Sequence, residues 1–268
     1  MADIDIKPIL LETLCEFHSF CGKNDLEYFL VGGTLLGAVR HEGFIPWDDD
    51  ADVVMPRKDY DRLLKLYDQF DYPFKLKSPK NIKNFRIPFA KLTNEKVIIE
   101  EGTHVPFRNG VWLDVFPLDY TFDNTYLQQL HFSTANRLGL LLKLKYDLEY
   151  KQSFSFKMRV LLPYLKVVSK FTPRKVLNLM FKINEDFPSK VILRKKNYVN
   201  LYGSWGIKEI APISVFESKK LYDFEGNSFW GPVDYHFWLE KVYGDYMKLP
   251  IPEQRTSKHK IRIISSQI

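Results

Sequence analysis

Two glycines and a cluster of aspartates occur close together in an otherwise hydrophobic stretch near the start of the chain. The apolar run at 28–31 stops at Gly32 and Gly33, and four aspartates follow at positions 48, 49, 50 and 52. The run predicts a short strand, and residues 34–39 predict a helix that begins on the glycines. Strands disfavour aspartate and like charges repel, so we expect this cluster only where a ligand compensates the carboxylates.

The spacing of the aspartates predicts which carboxylates act together. We expect a strand over residues 50–55, in which Asp50 and Asp52 project from one face about 7 Å apart. Asp48 has the same parity if the extended backbone reaches that far, whereas Asp49 then points away. Asp50 and Asp52 are therefore the first candidates for metal ligands, and Asp48 is the next.

Three kinds of site compete for these aspartates. A solvated turn or helix cap leaves the apolar residues on both sides unexplained. A calcium loop of the EF-hand type would need a glycine and a glutamate where Val53 and Asp59 stand. A site for Mg²⁺, or for Mn²⁺ in its place, fits hard oxygen ligands and leaves coordination positions for a substrate phosphate. Gly32 and Gly33 at a helix N-terminus would offer backbone N–H groups to that phosphate.

A third carboxylate is expected on a neighbouring strand. Asp114 lies inside the hydrophobic run 111–116, where its burial would be costly without a metal ion or a basic group close by. The alternative for Asp114 is a turn cap or a pair with an arginine. A Gly-Gly turn, an alternating acidic pair 17 residues later and one more acid on a later strand resemble the nucleotidyltransferase fold of the DNA polymerase β type.

The pattern along the chain predicts an α+β fold with three parts. Residues 1–120 predict a nucleotidyltransferase-like core, in which helices surround a mixed sheet. Residues 121–195 predict a helical basic segment that Pro163 and Pro173 interrupt. Residues 196–268 predict an aromatic-rich C-terminal part that packs back on the core.

Helices and strands of the core are predicted from its hydrophobic periodicity. Helical spacing occurs at 6–21 and 57–70. Further strand-like runs occur at 85–87, 96–100 and 111–116. Asn109 and Gly110 predict a turn before the last of these runs.

Composition limits the location and the partners of the chain. With 45% hydrophobic residues, 268 residues can bury a sizeable core, and no apolar run is long enough to span a membrane. The first residues carry acids where a secretory signal carries lysines, and Cys15 and Cys21 are expected on different helix faces as reduced thiols. These features predict a cytoplasmic protein. Residues 151–184 contain eight lysines and arginines, whose combined charge is larger than the net charge of +6 of the whole chain. The basicity is therefore local, and no nucleic acid is expected as a partner.

The stretch GGTLLGAVRHEGFIPWDDDADVVMPRKDY resembles the signature of the LicD family of phosphocholine transferases, which is itself similar to the fukutin group of sugar-modifying transferases. The stretches GVWLDVFPLD and FEGNSFWGPVDYHFWLEKVYGDYMKLP follow in the order of the family, and His259 comes late in the chain as in the family. The similarity covers about residues 26–260, so the chain resembles a single LicD-like unit.

The resemblance implies Mg²⁺-dependent transfer of phosphocholine, or of a related phospho-alcohol, from CDP-choline or another CDP-alcohol. The acceptor would be a sugar hydroxyl of a teichoic acid or a glycolipid precursor such as lipopolysaccharide, and CMP would be released. By motif, the implied metal ligands are Asp50, Asp52 and Asp114, with Asp48 as a further candidate. The implied phosphate-binding residues are Gly32, Gly33 and Thr34.

Other side chains are candidates for substrate contacts. Asp114 is the first candidate for the base that takes the acceptor proton, and His259 is the second. Arg40 would contact a phosphate or form a salt bridge to an aspartate, and Lys91 would contact a phosphate or extend along the surface. A choline group would need an aromatic cage, for which the chain offers Trp112, Trp205, Trp230, Trp238 and Tyr243.

The basic segment and the rival functions leave alternatives open. The cations and apolar residues of 151–184 suit peripheral contact with an anionic membrane at the inner face, or a core helix pair with a solvated basic face. A metal-dependent glycosyltransferase that uses an Asp-x-Asp motif on a nucleotide-sugar is the rival enzyme, although it does not require the Gly-Gly turn. A non-catalytic metal-dependent module that binds carbohydrate or lipid surfaces is the rival from another class.

Overall fold

The computed structural model describes residues 5–82, 85–101, 107–149, 163, 166–167, 170, 174–257 and 261–266. In these ranges the α-helices are α1 (Lys7–Lys23), α2 (Gly32–His41), α3 (Arg57–Leu63), α4 (Thr125–Glu149), α5 (Arg174–Val191) and α6 (Tyr235–Tyr243). The strands are β1 (Phe29–Leu30), β2 (Asp52–Pro56), β3 (Phe74–Lys77), β4 (Ala90–Glu101), β5 (Phe107–Thr121), β6 (Asn197–Val199), β7 (Ile210–Pro212), β8 (Lys219–Phe224), β9 (Asn227–Pro232) and β10 (Ile261–Ser266). The predicted α+β class is confirmed.

One mixed sheet positions the candidate site. Its central order is β1-β2-β5-β4-β10, while β3 pairs with β4, β6 pairs with β5, and β7 pairs with β6. β2 and β5 run parallel, with Asp52 directly opposite Asp114, and the other described pairs are antiparallel. The parallel pair therefore brings together two acids that lie 62 residues apart in the sequence.

The core lies between this sheet and the helices around it. α1 buries Leu10, Leu14, Phe17 and Cys21, and their spacing of three and four residues places them on one helix face. β2 is buried at Val53, Val54 and Met55 in its centre, as expected for a strand covered on both faces. The predicted first helix is confirmed.

The C-terminal part contributes strands to the sheet in addition to packing on it. β10 pairs antiparallel with β4, and β6 pairs with the end of β5. β8 and β9 form a separate hairpin, whose Phe224 and Phe229 lie in the same hydrophobic core as β1 and β2. The sheet thus joins segments from both ends of the chain.

Three local predictions were wrong. Residues 85–87 form no strand, and α3 ends at Leu63 instead of residue 70, because turns follow it. Asn109 and Gly110 lie inside β5, not in a turn. A Cβ atom at Gly110 would overlap the Asn94 carbonyl oxygen, next to a register irregularity between β4 and β5. Gly110 therefore permits a close approach of two strands, which is the other common use of glycine in a sheet.

The long helical region is described at its two ends. α4 and α5 pack through Leu138, Leu142, Leu177 and Phe181, and His131 Nε2 lies 2.8 Å from the Asn184 carbonyl oxygen. Pro173 and most of the basic stretch that precedes α5 lie outside the described residues. None of the helices in the described ranges combines the length and the apolar composition that a membrane crossing requires.

Candidate active site

A cavity of about 330 Å³ lies where β2 begins beside β5. Its lining combines the start of α2, four of the predicted carboxylates and one lysine: Gly32, Gly33, Asp48, Asp50, Asp52, Asp114 and Lys91. Trp205, Trp238 and Tyr243, three of the candidates for an aromatic cage, also line it, as do Arg86, Tyr202 and Glu209, which the sequence patterns did not predict. The fold therefore assembles most of the predicted site in one place.

The start of α2 lies against the carboxylates. Gly32 has φ +58°, which favours glycine, and a Cβ atom there would lie 2.7 Å from Asp52 Oδ2. A Cβ atom at Gly33 would also overlap the Asp48 carboxylate. The first N–H groups of a helix have no partners within the helix, so this end of α2 suits an anion. The two glycines bring it close to the acids.

Thr34 supports Asp52 from behind the cavity. Its Oγ1 accepts a hydrogen bond of 2.8 Å from the Asp52 backbone N–H, and the side chain is buried. The Val31 N–H donates to the Asp52 carbonyl oxygen at 3.3 Å. Thr34 is not among the residues that line the cavity. In this structure it holds the peptide that carries the metal-ligand candidate, whereas the sequence suggested a direct phosphate contact.

The carboxylates of the cavity repel one another. Burial raises the pKa of Asp52 well above its usual value, and the charges of Asp50, Asp114 and Asp48 raise it further. Such a set of oxygen ligands is suited to a hard divalent cation, because the cation would remove the repulsion. The residues present therefore fit the metal ion that the sequence predicts.

The loop before β2 does not follow the parity of a strand. β2 begins at Asp52 instead of Asp50, so Asp48, Asp49 and Asp50 lie in irregular backbone. One oxygen from each of these three residues lies within 4.8 Å of the others. Asp49 does not line the cavity, and its Oδ2 accepts a hydrogen bond from the Ser257 hydroxyl. Because this loop is not extended, its side chains do not alternate as in a strand. A carboxylate oxygen of Asp49 is therefore closer to those of Asp48 and Asp50 than the predicted strand would place it.

Asp114 forms an ion pair with Lys91. The Lys91 Nζ lies 2.8 Å from Asp114 Oδ1 and 4.0 Å from the centroid of the Trp112 ring. β4 and β5 place the two residues directly opposite each other. The alternative that Lys91 extends along the surface is wrong, because its side chain is only 6% exposed. Asp114 thus has the basic neighbour that a buried aspartate requires, although the sequence suggested an arginine.

Arg40 and His259 are not part of this arrangement. Arg40 lines a second cavity of about 520 Å³, where its Nη1 donates a hydrogen bond of 2.6 Å to the Tyr246 carbonyl oxygen. The two cavities adjoin, since both are lined by Gly33, Asp48, Trp205 and Tyr243. His259 lies outside the described residues.

Glu209 is a cavity residue that the sequence patterns did not indicate. Its carboxylate accepts hydrogen bonds from the Trp205 backbone N–H at 2.8 Å and from the Asn200 amide at 2.7 Å. Burial raises the pKa of Glu209 to about 7, although both hydrogen bonds act in the opposite direction. A carboxyl group with such a pKa can exchange a proton near neutral pH. No acidic spacing marks this residue, because its neighbours in space come from other segments.

Comparisons with known proteins agree with this geometry. A family profile described as "LicD/FKTN/FKRP, nucleotidyltransferase domain" matches residues 25–171. The lipopolysaccharide cholinephosphotransferase LicD of Haemophilus influenzae is 30% identical over 264 residues, which cover 95% of this chain and 94% of that protein. An uncharacterized protein of Rickettsia prowazekii, RP689, is 40% identical over 62 residues, 23% of each chain.

The class of the protein follows from the fold, the site and these similarities: the α+β core with its acidic cavity carries a nucleotidyltransferase-type domain. The chain belongs to the LicD family, and the resemblance noted in the sequence is confirmed. It is accordingly a phosphotransferase.

Proposed function

We propose that the protein transfers phosphocholine from CDP-choline to a sugar hydroxyl of a lipopolysaccharide, teichoic acid or related glycolipid precursor and releases CMP. The observation that carries this proposal is the single cavity in which the N-terminus of α2 lies against the acidic cluster. A diphosphate and a divalent cation need these two surfaces together. The name of the Haemophilus relative, which covers nearly the whole chain, supports phosphocholine as the group transferred.

The proposed metal ion is Mg²⁺ or Mn²⁺, held by Asp50, Asp52 and Asp114 with Asp48 as a further ligand. Burial and the mutual repulsion of the carboxylates raise the pKa of Asp52, which supports this choice because a bound cation would stabilise the charged form. When bound, such an ion supplies Lewis-acid stabilisation of the charge that develops on the leaving CMP.

The residues of the chain bind and orient the donor. The N–H groups at Gly32 and Gly33 would donate hydrogen bonds to the diphosphate, and the positive end of the α2 dipole would favour its charge. Lys91, a lining residue paired with Asp114, would contribute a cation next to the same group. Thr34 would keep Asp52 in place through the Asp52 N–H. We propose the second cavity, which Arg40 lines and which adjoins the first, as the acceptor side, where Arg40 would contact the substrate.

The acceptor hydroxyl must lose a proton as the new bond to phosphorus forms. Asp114 is our first candidate for the proton acceptor because it lies inside the cavity. His259 was the second candidate from the sequence. Glu209 is now an alternative to it, since its pKa of about 7 suits a base near neutral pH.

One assay tests the proposed transfer. The purified protein is incubated with Mg²⁺ and with CDP-choline, CDP-ethanolamine or CDP-ribitol, and CMP is measured with and without candidate glycan acceptors. We expect acceptor-dependent release of CMP that is largest with CDP-choline and is lost with a metal chelator. Turnover of nucleotide-sugars alone would favour the rival glycosyltransferase. Metal-dependent glycan binding without any turnover would favour the non-catalytic module.

We also propose a cytoplasmic protein in peripheral contact with the anionic inner face of the membrane. The described end of the basic segment supports this contact: α5 exposes Val176, Met180, Ile183 and Phe187 at helical spacing beside Lys175 and Lys182. Cys15 and Cys21 are free thiols, which suits a reducing compartment. Co-sedimentation with anionic vesicles at low and high salt is the test, and no binding at low salt would contradict the proposal.

A further inference from the structure

Two chemically different groups of residues line the cavity of the acidic cluster. The first contains the cations Arg86 and Lys91, and Lys91 Nζ lies 5.9 Å from the ring centroid of Phe89, which also lines the cavity. The second contains the aromatic residues Trp205 and Tyr243. Phosphocholine is a zwitterion, so its phosphate and its ammonium group need surroundings of opposite character. The first group suits the phosphate.

Trp205 and Tyr243 form an aromatic corner. Their ring centroids are 4.9 Å apart and the ring planes meet at 73°. The Trp205 indole N–H donates a hydrogen bond to the Tyr243 hydroxyl, which keeps the two rings together. Trp205 is 37% exposed, so its ring is accessible to a ligand. Two rings at a steep angle present π surfaces from two directions, which is how aromatic cages contact quaternary ammonium groups.

The charges around this corner favour a cation. Burial raises the pKa of the Tyr243 hydroxyl, and the carboxylates of Asp52, Asp48 and Glu209 raise it further, so negative charge lies close to the ring. Lys208 Nζ lies 6.0 Å from the Trp205 ring centroid, but Lys208 does not line either cavity. Asp48, Asp52 and Glu209 are therefore charged neighbours of the corner in the cavity of the acidic cluster, while Arg40, which also interacts with Tyr243, lines the second cavity.

The backbone that carries the corner is fixed on both sides. Glu209 accepts a hydrogen bond of 2.8 Å from the Trp205 N–H. Tyr243 is the last residue of α6. The helix ends at Gly244, whose backbone has a φ of +72°. A preorganised pair of rings loses little conformational entropy when a ligand binds.

The other tryptophans are less suitable for this role. Lys91 already occupies a position 4.0 Å from the ring centroid of Trp112, and Trp238 is only 1% exposed. Trp47 lines the second cavity but not the first, and the Arg255 guanidinium lies 5.5 Å from the Trp47 ring centroid. Trp230 lines neither cavity.

We infer that Trp205 and Tyr243 form the subsite for the quaternary ammonium group of the donor's choline. This inference rests on the proposed phosphocholine transfer and assigns the residues that distinguish choline from primary amines. A quaternary ammonium group cannot donate an N–H hydrogen bond, so ring faces and negative potential recognise it. A primary ammonium group is more strongly hydrated and gains less from the same corner.

A binding experiment tests the subsite without any turnover. The full chain is labelled with 5-fluorotryptophan, which gives one ¹⁹F signal for each of the five tryptophans, and the Trp205→Phe variant assigns the Trp205 signal. Choline, tetramethylammonium and ethanolamine are added in separate titrations. We expect the Trp205 signal to shift to saturation with the first two compounds and not with ethanolamine. A Trp205 signal that stays in place with choline would overturn the inference.

Kinetics with CDP-choline and CDP-ethanolamine provide the second test. In Trp205→Leu we expect kcat/KM for CDP-choline to fall about tenfold while that for CDP-ethanolamine changes little, since one cation–π contact is removed. Trp205→Phe retains a ring and should keep most of the preference. The matched control is Trp47→Leu, in which the ratio of the two values should stay unchanged. Equal losses for both donors in Trp205→Leu would contradict the subsite.

The two experiments separate this inference from the proposed function. If no CDP-alcohol is turned over but choline still shifts the Trp205 signal, the proposed transfer fails and the subsite stands. If CDP-choline is turned over while choline leaves the Trp205 signal in place, the transfer stands and the subsite fails.

Discussion

The two ends of the parallel strand pair β2 and β5 carry opposite arrangements of charge. Where the pair begins, Asp52 lies opposite Asp114. Just after β2 ends, Arg57 forms two hydrogen bonds of 2.6 Å to the carboxylate of Asp119. The two positions are five residue steps apart on each segment, which corresponds to about 16 Å of strand. The same two strands thus support a cluster of like charges at one end and a balanced ion pair at the other.

The balanced end extends into a network. Arg57 Nη2 lies 3.4 Å from Glu185 on α5, and the Tyr202 hydroxyl donates a hydrogen bond of 2.7 Å to the same carboxylate. Every charge in this network has a partner of opposite sign within the protein. At the acidic end Lys91 pairs with Asp114, while the charges of Asp50, Asp114 and Asp48 raise the pKa of the buried Asp52. The comparison teaches that opposite charges are paired at the Arg57 end, whereas carboxylates repel one another at the Asp52 end, where we propose that a divalent cation binds.

The largest expected effect is the loss of transfer in Asp52→Asn. Removing this carboxylate should lower kcat by at least about 10²-fold, the usual cost of removing a group that stabilises transition-state charge. Without metal, the same variant should unfold at a higher temperature than the wild type, because one of several repelling carboxylates is gone. Each kcal/mol gained in the free energy of unfolding should raise the unfolding temperature by about 2–4 °C. CMP release and thermal unfolding with a chelator measure the two effects. Asp68→Asn, at an exposed position, is the control, and undiminished transfer in Asp52→Asn would refute the metal assignment.

Arg57→Met should have the opposite effect on stability. It leaves Asp119 buried without its cation, which typically costs about 3–5 kcal/mol. Urea unfolding measures the loss. Lys80→Met breaks the exposed pair with Asp61 and should cost less than about 1 kcal/mol. Similar small losses in both variants would show that the two ends of the strand pair do not differ in the way described.

Glu209→Gln should change how stability depends on pH. The folded state raises the pKa of Glu209 from 4.5 to about 7, so it binds the proton more tightly than the unfolded state. The free energy of unfolding of the wild type should therefore fall as pH rises from 4.5 to 7, by about 3 kcal/mol from this residue. The glutamine variant should lack this part of the slope. Urea unfolding across this pH range, with a chelator present, gives the comparison, and identical slopes would contradict the prediction.

Thr34→Val should have the smallest effect of the four. It removes the hydroxyl that accepts the Asp52 N–H, which costs about 1 kcal/mol. If Asp52 shifts as a result, transfer should fall by about fivefold, the rate equivalent of that energy. Thr34→Ser retains the oxygen and should remain close to the wild type in both unfolding and CMP release. A loss in Thr34→Val as large as in Asp52→Asn would instead indicate a direct role in chemistry.

The sequence predicted the parts of the site that lie on regular elements. Asp114 was found because an acid inside a hydrophobic strand is unusual, and Gly32 because a glycine pair separates a strand from a helix. Strand alternation failed at Asp48 and Asp50, since β2 begins only at Asp52. Glu209 could not be predicted, and Trp205 could not be chosen among the five cage candidates, because their position in the cavity depends on tertiary contacts between distant segments.

The same distinction applies to the fold. α1 was predictable from its periodicity, which reflects burial on one face. Gly110 was misread as a turn residue because glycine serves equally where two strands approach closely, and only the position of Asn94 distinguishes the two uses. The pairing of β10 with β4 joins residues at least 160 positions apart, and local patterns carry no information about such a contact.

The second cavity has a consequence for how substrate preference can change over evolution. Much of its lining comes from residues 245–256, beyond the 25–171 region that the family profile matches, while the carboxylates belong to the matched region. Substitutions at positions such as Leu249 or Gln254 can therefore alter the shape of the second cavity without altering the carboxylates of the first. The proposed acceptor side and the proposed transfer chemistry are structurally separable in this protein.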